Sequence, residues 1–168
     1  MSIAQSIIDR IGEGRLSALA VLPVSAVRIR RMYITDELRQ ALGNPSPADV
    51  ERFARLEADL GMFVTSPTID PKYVQLLMPV RNAVWEIRSV RPRPSIRVTG
   101  LFAEKDIFIA TQHYLRAPLG GFDTREWRDA IERAKTAWRN LFPGYDPSNE
   151  TDATKLITGA ISGQYFKN

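Results

Sequence analysis

Arginine, histidine and tyrosine residues recur on three consecutive apolar segments in the second half of the chain. Arg88 and Arg97 each stand among apolar and β-branched residues. The third segment ends in His113, Tyr114 and Arg116. Guanidinium groups bind phosphate in a bidentate manner, and an imidazole or a phenol can transfer a proton. If neighbouring strands carry these groups to one region, they could form a phosphate-binding, proton-transferring site. The alternative is that the arginines only solvate the open face of an antiparallel sheet.

The three segments that carry these residues are predicted to be β-strands. Residues 84–88, 95–102 and 106–114 are rich in β-branched and aromatic side chains, and turn-forming residues separate them. Because the two turns are short, the strands are expected to form an antiparallel meander.

The positive charge of the chain is concentrated around these strands. The 168 residues carry a net charge of +4. Residues 81–140 contain twelve basic and seven acidic side chains, a net charge of +5, and ten of the twelve are arginine, including Arg91 and Arg93 in the first turn. Arginine suits bidentate contact with phosphate, and an arginine-weighted positive half is typical of a nucleic-acid-binding surface. Many ordinary domains show the same bias.

The composition excludes several classes of site. The chain has no cysteine and one histidine, which rules out a thiolate or multi-histidine metal centre. We therefore expect no metal and no cofactor.

The first twenty residues lack the pattern of a secretory signal, and no apolar run approaches membrane-spanning length. We expect a cytoplasmic protein without membrane contact.

The first part of the chain is predicted to form an arm followed by a strand. Residues 2–11 place four isoleucines on one helical face, and Ser2 has capping-box spacing. Residues 16–24 are an apolar run that predicts either a buried strand or a packed arm. Residues 27–34 are predicted to be a strand.

Helices are predicted before and after the meander. Thr35 caps a short helix, and a second helix runs from Ser46 to Gly61. Residues 63–79 contain three prolines and are expected to be a connector. Asp123 opens a long helix in which two tryptophans recur at helical spacing, as expected of core anchors.

The order and local signatures of these elements resemble the RelE/ParE toxin superfamily, and most closely its HigB and phage-derived RelE-like branch. In that branch a helical segment ends in Leu-Gly, as at residues 60–61, and an aromatic-Glu-apolar-Arg strand follows, as at residues 85–88. The next strand matches residues 96–102, and the turn and apolar strand after it match residues 103–109. A final helix carries Glu-Arg-Ala-Lys, here residues 132–135.

This resemblance covers residues 27–140 and implies an α+β fold. The RelE-like fold has a small twisted antiparallel sheet, an N-terminal helical hairpin and a C-terminal helix. An N-terminal arm, residues 1–26, and a C-terminal tail, residues 141–168, lie outside it. We expect the arm and the tail to pack on the helical side of the domain or to build a homodimer, leaving Arg88 and Arg97 open.

The resemblance also implies a function. Toxins of this family typically cut mRNA in the ribosomal A site by attack of the 2′-OH on the adjacent phosphate, without a metal. The implied protein is the toxin of a type II toxin–antitoxin system, whose partners are ribosome-bound mRNA and a helix-turn-helix antitoxin. Arg97 would stabilise the transition state, and His113 or Tyr114 would transfer protons. The predicted phosphate-binding residues are Arg88, Arg91, Arg93, Arg97 and Arg116.

Some features of the sequence favour alternatives to cleavage. Where the branch commonly has two consecutive lysines after the last strand, this chain has Arg116, Ala117 and Pro118. A regular strand places His113 and Tyr114 on opposite faces, so both can act only if the strand has ended. Glu86 lies between core-facing residues and is expected to be a structural ion-pair partner. The alternative function is a non-enzymatic RelE/ParE-like binding protein, either a gyrase inhibitor or a phage/host interaction module.

Overall fold

The computed structural model describes residues 1–167, which form a six-stranded sheet with helices on both faces. The spatial order of the strands is β1-β2-β6-β5-β4-β3. The α+β class is therefore confirmed. The strands are β1 (Leu16–Ala18), β2 (Arg31–Thr35), β3 (Val74–Leu76), β4 (Trp85–Ser89), β5 (Ile96–Glu104) and β6 (Ile107–Leu115).

The sheet is mixed, so the expectation of a purely antiparallel sheet is wrong. Strands β4, β5 and β6 form the predicted antiparallel meander, but β2 pairs with β6 in parallel. A parallel pair needs a long crossover connection, and the chain between β2 and β6 contains two helices and three strands. Pairing at this distance along the chain leaves no local sequence pattern.

Six helices accompany the sheet within the described residues. Ser2, Thr35 and Thr124 cap the three helices that follow them by accepting a backbone N–H bond. The last of these helices is capped by Thr124, one residue after the predicted start at Asp123. The helices are α1 (Ile3–Gly12), α2 (Asp36–Gly43), α3 (Val50–Thr65), α4 (Arg116–Leu119), α5 (Arg125–Leu141) and α6 (Ala153–Leu156).

Helix α3 differs from its prediction at both ends. A 3-10 turn, Pro47–Asp49, precedes it, and the helix continues past Gly61 to Thr65. A glycine inside a helix costs about 1 kcal/mol relative to alanine. Burial of Phe63 and Val64 against the sheet outweighs that cost, because both side chains lie in the core.

Each face of the sheet has its own hydrophobic core. On one side, called the α3 face, Ile87 and Val98 pack with α2, α3 and the end of the chain. On the other side, called the α5 face, Leu101 and Ile109 pack with α1 and α5. The two tryptophans of α5 are 1% and 2% exposed and belong to this second core, which confirms their predicted role as core anchors.

Both ends of the chain pack on the chain's own core. In α1, Ile7 is buried on the α5 face, and Arg10 Nε donates to the carbonyl oxygen of Leu141 at 2.7 Å. The tail contributes Leu156 and Tyr165 to the core of the α3 face. Asn168, the last residue of the predicted tail, lies outside the described residues.

A buried arginine fastens the tail to the sheet. Arg30 is 1% exposed, and its guanidinium donates to the backbone carbonyl oxygens of Phe63, Ser66 and Thr158. One side chain thereby joins the residue before β2 to the end of α3 and to the tail.

Among the described residues, no helix combines the length and the apolar character needed to cross a membrane.

The four isoleucines of α1 do not form one buried stripe, and this gives a matched test of how the arm is held. Ile7 is 3% exposed, whereas Ile8 is 60% exposed. We expect Ile7→Ala to lower the free energy of unfolding by about 2–4 kcal/mol, since it leaves a cavity in the core. Ile8→Ala should change it by less than about 0.5 kcal/mol. Urea unfolding followed by circular dichroism measures both, and equal effects would contradict the packing of α1.

Candidate functional site

The fold brings the predicted arginines together at one end of the sheet. Ser89, Ile96 and Leu115 lie side by side at this end of β4, β5 and β6. The turn between β4 and β5 and the start of α4 therefore lie at the same end, where the backbone N–H of Arg116 donates to the carbonyl oxygen of Ser95 at 2.8 Å. We call this group of residues the basic end: Arg88, Arg91, Arg93, Arg97 and Arg116.

Two arginines of the basic end are paired with a buried carboxylate. Arg88 and Arg97 are directly opposite each other on β4 and β5, where like charges destabilise a sheet. Glu86 is fully buried beside them, with its Oε1 2.8 Å from Arg88 Nε and its Oε2 3.5 Å from Arg97 Nε. Gln75 Oε1 also accepts a bond from Arg88 at 2.5 Å. Glu86 is therefore a structural ion-pair partner, as predicted.

The expectation that Arg88 and Arg97 are open is wrong. The Arg97 residue is only 8% exposed, and the Arg88 side chain only 16%. The buried charge of Glu86 holds both guanidinium groups close to the sheet. Burial lowers the pKa of Arg97, the nearby Glu86 carboxylate opposes this, and the positive charges of Arg88 and Arg116 lower the pKa further. Arginine nevertheless remains charged in a protein.

The other arginines of the basic end are more accessible. Arg91 and Arg93 are exposed in the turn, and neither forms an ion pair with a carboxylate of the described residues. Arg116 is half-buried and donates to the carbonyl oxygen of Gly120 at 2.7 Å. Its guanidinium lies 5.7 Å from the ring centroids of both Phe122 and Trp127. Besides the two paired arginines, the basic end thus contains two exposed cations and one cation held in position by a backbone carbonyl and two aromatic rings.

A β-bulge just before His113 and Tyr114 determines which of these two predicted proton-transfer residues shares a face with Arg97. Gly100 pairs with Ala110 but Thr99 pairs with Gln112, so Thr111 is an extra residue in β6. An extra residue reverses which side chains point to each face. Before the bulge Ile109 belongs to the α5 face, and after it Tyr114 does.

His113 consequently lies apart from the arginines. Its ring packs edge-on against Phe53, which belongs to the α3 face, with 5.4 Å between the ring centroids. Tyr114 pairs with Arg97 across β5 and β6 and packs on the α5 face. Because β6 continues to Leu115, the strand has not ended at these residues. Of the two candidates, only Tyr114 shares a face with Arg97.

The phenol of Tyr114 is in a protonation state that suits a proton donor rather than a proton acceptor. Its hydroxyl is buried and has no hydrogen-bond partner of good geometry among the described residues. Burial raises the pKa of the Tyr114 phenol, and the neighbouring Arg133 offsets part of the rise. The phenol is therefore protonated at neutral pH, where it can donate a proton but hardly accept one.

The sequence pattern missed two residues of this region. Gln75, the partner of Arg88, lies on β3, a three-residue edge strand inside the segment predicted to be a connector. The alternation of Val74, Gln75 and Leu76 is the signal that could have found it. Phe122 stacks on Trp127 and follows two glycines in the α4–α5 loop. An aromatic residue is uncommon in such a turn, and this is the signal that could have drawn attention to it.

No protein-family model matches the chain, and neither a curated protein nor a solved structure matches it significantly. The similarity to RelE/ParE toxins therefore stays a hypothesis based on motifs and their order.

His113 is the one histidine of the chain, so its titration can be followed without interference. Burial lowers the pKa of His113, and the nearby Glu37 opposes the shift only partly. We expect an NMR titration midpoint below the ordinary value of about 6.5. Because the unfolded state then binds the proton more readily, the contribution of His113 to stability is complete above pH of about 6.5 and declines as the pH falls. A midpoint at or above 6.5 would show that the imidazole is not buried against Phe53.

Proposed function

We propose that the protein binds the phosphate backbone of RNA at the basic end, as a RelE/HigB-like toxin acting on ribosome-bound mRNA. The observation that carries this proposal is the gathering of five arginines at one end of the sheet, where two of them pair with a buried carboxylate and the other three form no ion pair with a described carboxylate. Guanidinium groups in fixed positions suit phosphodiesters, since each can donate two parallel hydrogen bonds.

The five arginines of the basic end would have different roles in RNA binding, depending on how exposed each side chain is. Arg91 and Arg93 are exposed and would make the first contacts with the backbone. Arg116 is held by two aromatic rings and would bind a phosphate in a defined position. Arg88 and Arg97 lie deeper and would add positive potential beneath the bound strand, where low-dielectric surroundings strengthen the field.

Metal-independent cleavage of the bound RNA is the second candidate function. Attack of the 2′-OH needs a base, cations around the phosphorane and an acid for the leaving 5′-oxygen. Tyr114 favours this candidate, because a protonated phenol lies on the same face as Arg97, and cleavage would require its buried hydroxyl to become exposed to the RNA. His113 lies on the opposite face, so the predicted acid–base pair is not assembled. Binding is therefore the leading proposal.

Binding at the basic end can be tested with matched double variants. Arg91→Ser with Arg93→Ser removes two exposed cations there. Arg28→Ser with Arg31→Ser removes two exposed cations near the opposite end of the sheet, where Arg31 pairs with Ile107 at the start of β6.

We expect the first double variant to weaken binding of a single-stranded RNA by at least about tenfold at low salt. Its slope of log affinity against log salt should be smaller by about 1.4, since each lost phosphate contact accounts for about 0.7. Fluorescence anisotropy of a labelled RNA at several salt concentrations measures both quantities. The control variant should resemble the wild type. Equal losses in the two variants would contradict a localised site.

Cleavage can be tested with translating ribosomes and an end-labelled mRNA. If Tyr114 is the acid, Tyr114→Phe should lower the cleavage rate by about 100-fold or more, with RNA binding unchanged. His113→Ala should cut at the wild-type rate, because its ring faces the other side of the sheet. Loss of cleavage in the His113 variant alone would overturn this assignment. A wild type that binds mRNA without producing breaks would leave binding as the function.

A further inference from the structure

A groove lies between α5 and the connection from β3 to β4, and Phe122 on one of its sides lies next to Arg116 of the basic end. Its volume is about 670 Å³, within the range of about 300–1,000 Å³ that is usual for small-ligand sites. The walls combine apolar side chains with three basic residues and with the carboxylates of Asp123 and Glu132. The lining residues that matter here are Met78, Arg81, Phe122, Arg128, Ile131 and Lys135.

Phe122 supplies a flat aromatic surface in this groove. Its ring stacks on Trp127 with 5.2 Å between the centroids and 30° between the planes. Trp127 is buried, whereas Phe122 is 46% exposed, so the stack has a rigid base and an accessible outer ring. Aromatic rings in such positions bind nucleobases by stacking, whatever the base.

Two arginines add positive charge at the rim of the groove. Arg81 is exposed and forms no ion pair with the described carboxylates. Arg128 is exposed as well, and it donates to the carbonyl oxygen of Asp123 at 2.7 Å, which holds it near the Phe122 loop. The third cation, Lys135, is neutralised by Glu132 at 2.9 Å. The groove therefore offers one aromatic platform and two guanidinium groups, the combination that suits a base and its phosphate.

We propose that this groove binds one nucleotide of the RNA, with the base stacked on Phe122 and the phosphate held by Arg81 and Arg128. The inference rests on the proposed function, because Arg116 connects the two regions. Arg116 belongs to the basic end, and its guanidinium lies 5.7 Å from the centroids of both the Phe122 and the Trp127 rings. An RNA strand that leaves the basic end past Arg116 would therefore reach Phe122 and the groove beside it.

The test compares Phe122→Leu, which removes the aromatic face, with Phe122→Tyr, which keeps it. Both variants are measured with AMP, with ribose 5-phosphate and with a single-stranded RNA. Binding of AMP is followed by tryptophan fluorescence, since Trp127 lies directly beneath Phe122. Inorganic polyphosphate, a polyanion without bases, serves as the control ligand.

We expect Phe122→Leu to weaken binding of AMP and of the RNA at least about fivefold, and Phe122→Tyr to bind both like the wild type. Binding of ribose 5-phosphate and of polyphosphate should be the same in all three proteins. Wild-type affinity of the Leu variant for AMP and RNA would overturn the groove site. A wild type that binds polyphosphate but not AMP would also overturn it, while leaving phosphate binding at the basic end. AMP binding through Phe122 without any RNA binding would overturn the proposed function and support the nucleotide site.

Discussion

A single buried carboxylate, Glu86, determines how the basic end of the sheet is built. Withdrawing a carboxylate from water is unfavourable by several kcal/mol, and only cations with good geometry compensate for it. Arg88 and Arg97 provide that compensation from opposite positions on β4 and β5, where they would otherwise repel each other. Two of the five arginines are therefore committed to the sheet, and the remaining three are left to contact a ligand.

Helices on both faces restrict where such a ligand can approach. α3 and the tail cover one face, and α1 and α5 cover the other, so a ligand can approach the basic residues at the strand ends or along the groove beside α5. The proposed function follows this constraint. Phosphates would meet the arginines at the end of the meander, and a base would meet Phe122 beside it, with Arg116 between the two.

The local parts of the fold could be predicted from the sequence, because short-range patterns determine them. Alternation and β-branched residues indicate β4, β5 and β6, and the spacing of Trp127 and Trp138 indicates the buried face of α5. The parallel pairing of β2 with β6 and the edge strand β3 could not be predicted in this way. Both depend on partners far along the chain, and β3 has only three residues.

The sequence by itself determined that arginines, a histidine and a tyrosine lie on neighbouring strands of one meander. Only the tertiary structure decided which of them share a face. Two threonines hold the extra residue, Thr111, in place. The hydroxyl of Thr99 bonds to the Thr111 hydroxyl, and the hydroxyl of Thr35 donates to the Thr111 carbonyl oxygen at 2.6 Å. Opposite it, a side chain at Gly100 would lie 2.3 Å from the Phe108 ring, so the position requires glycine. Because this bulge reverses the alternation of β6, Tyr114 lies on the same face as Arg97 and His113 lies on the opposite face. The bulge depends on contacts among three strands, so no single strand carries a sequence pattern that would predict it.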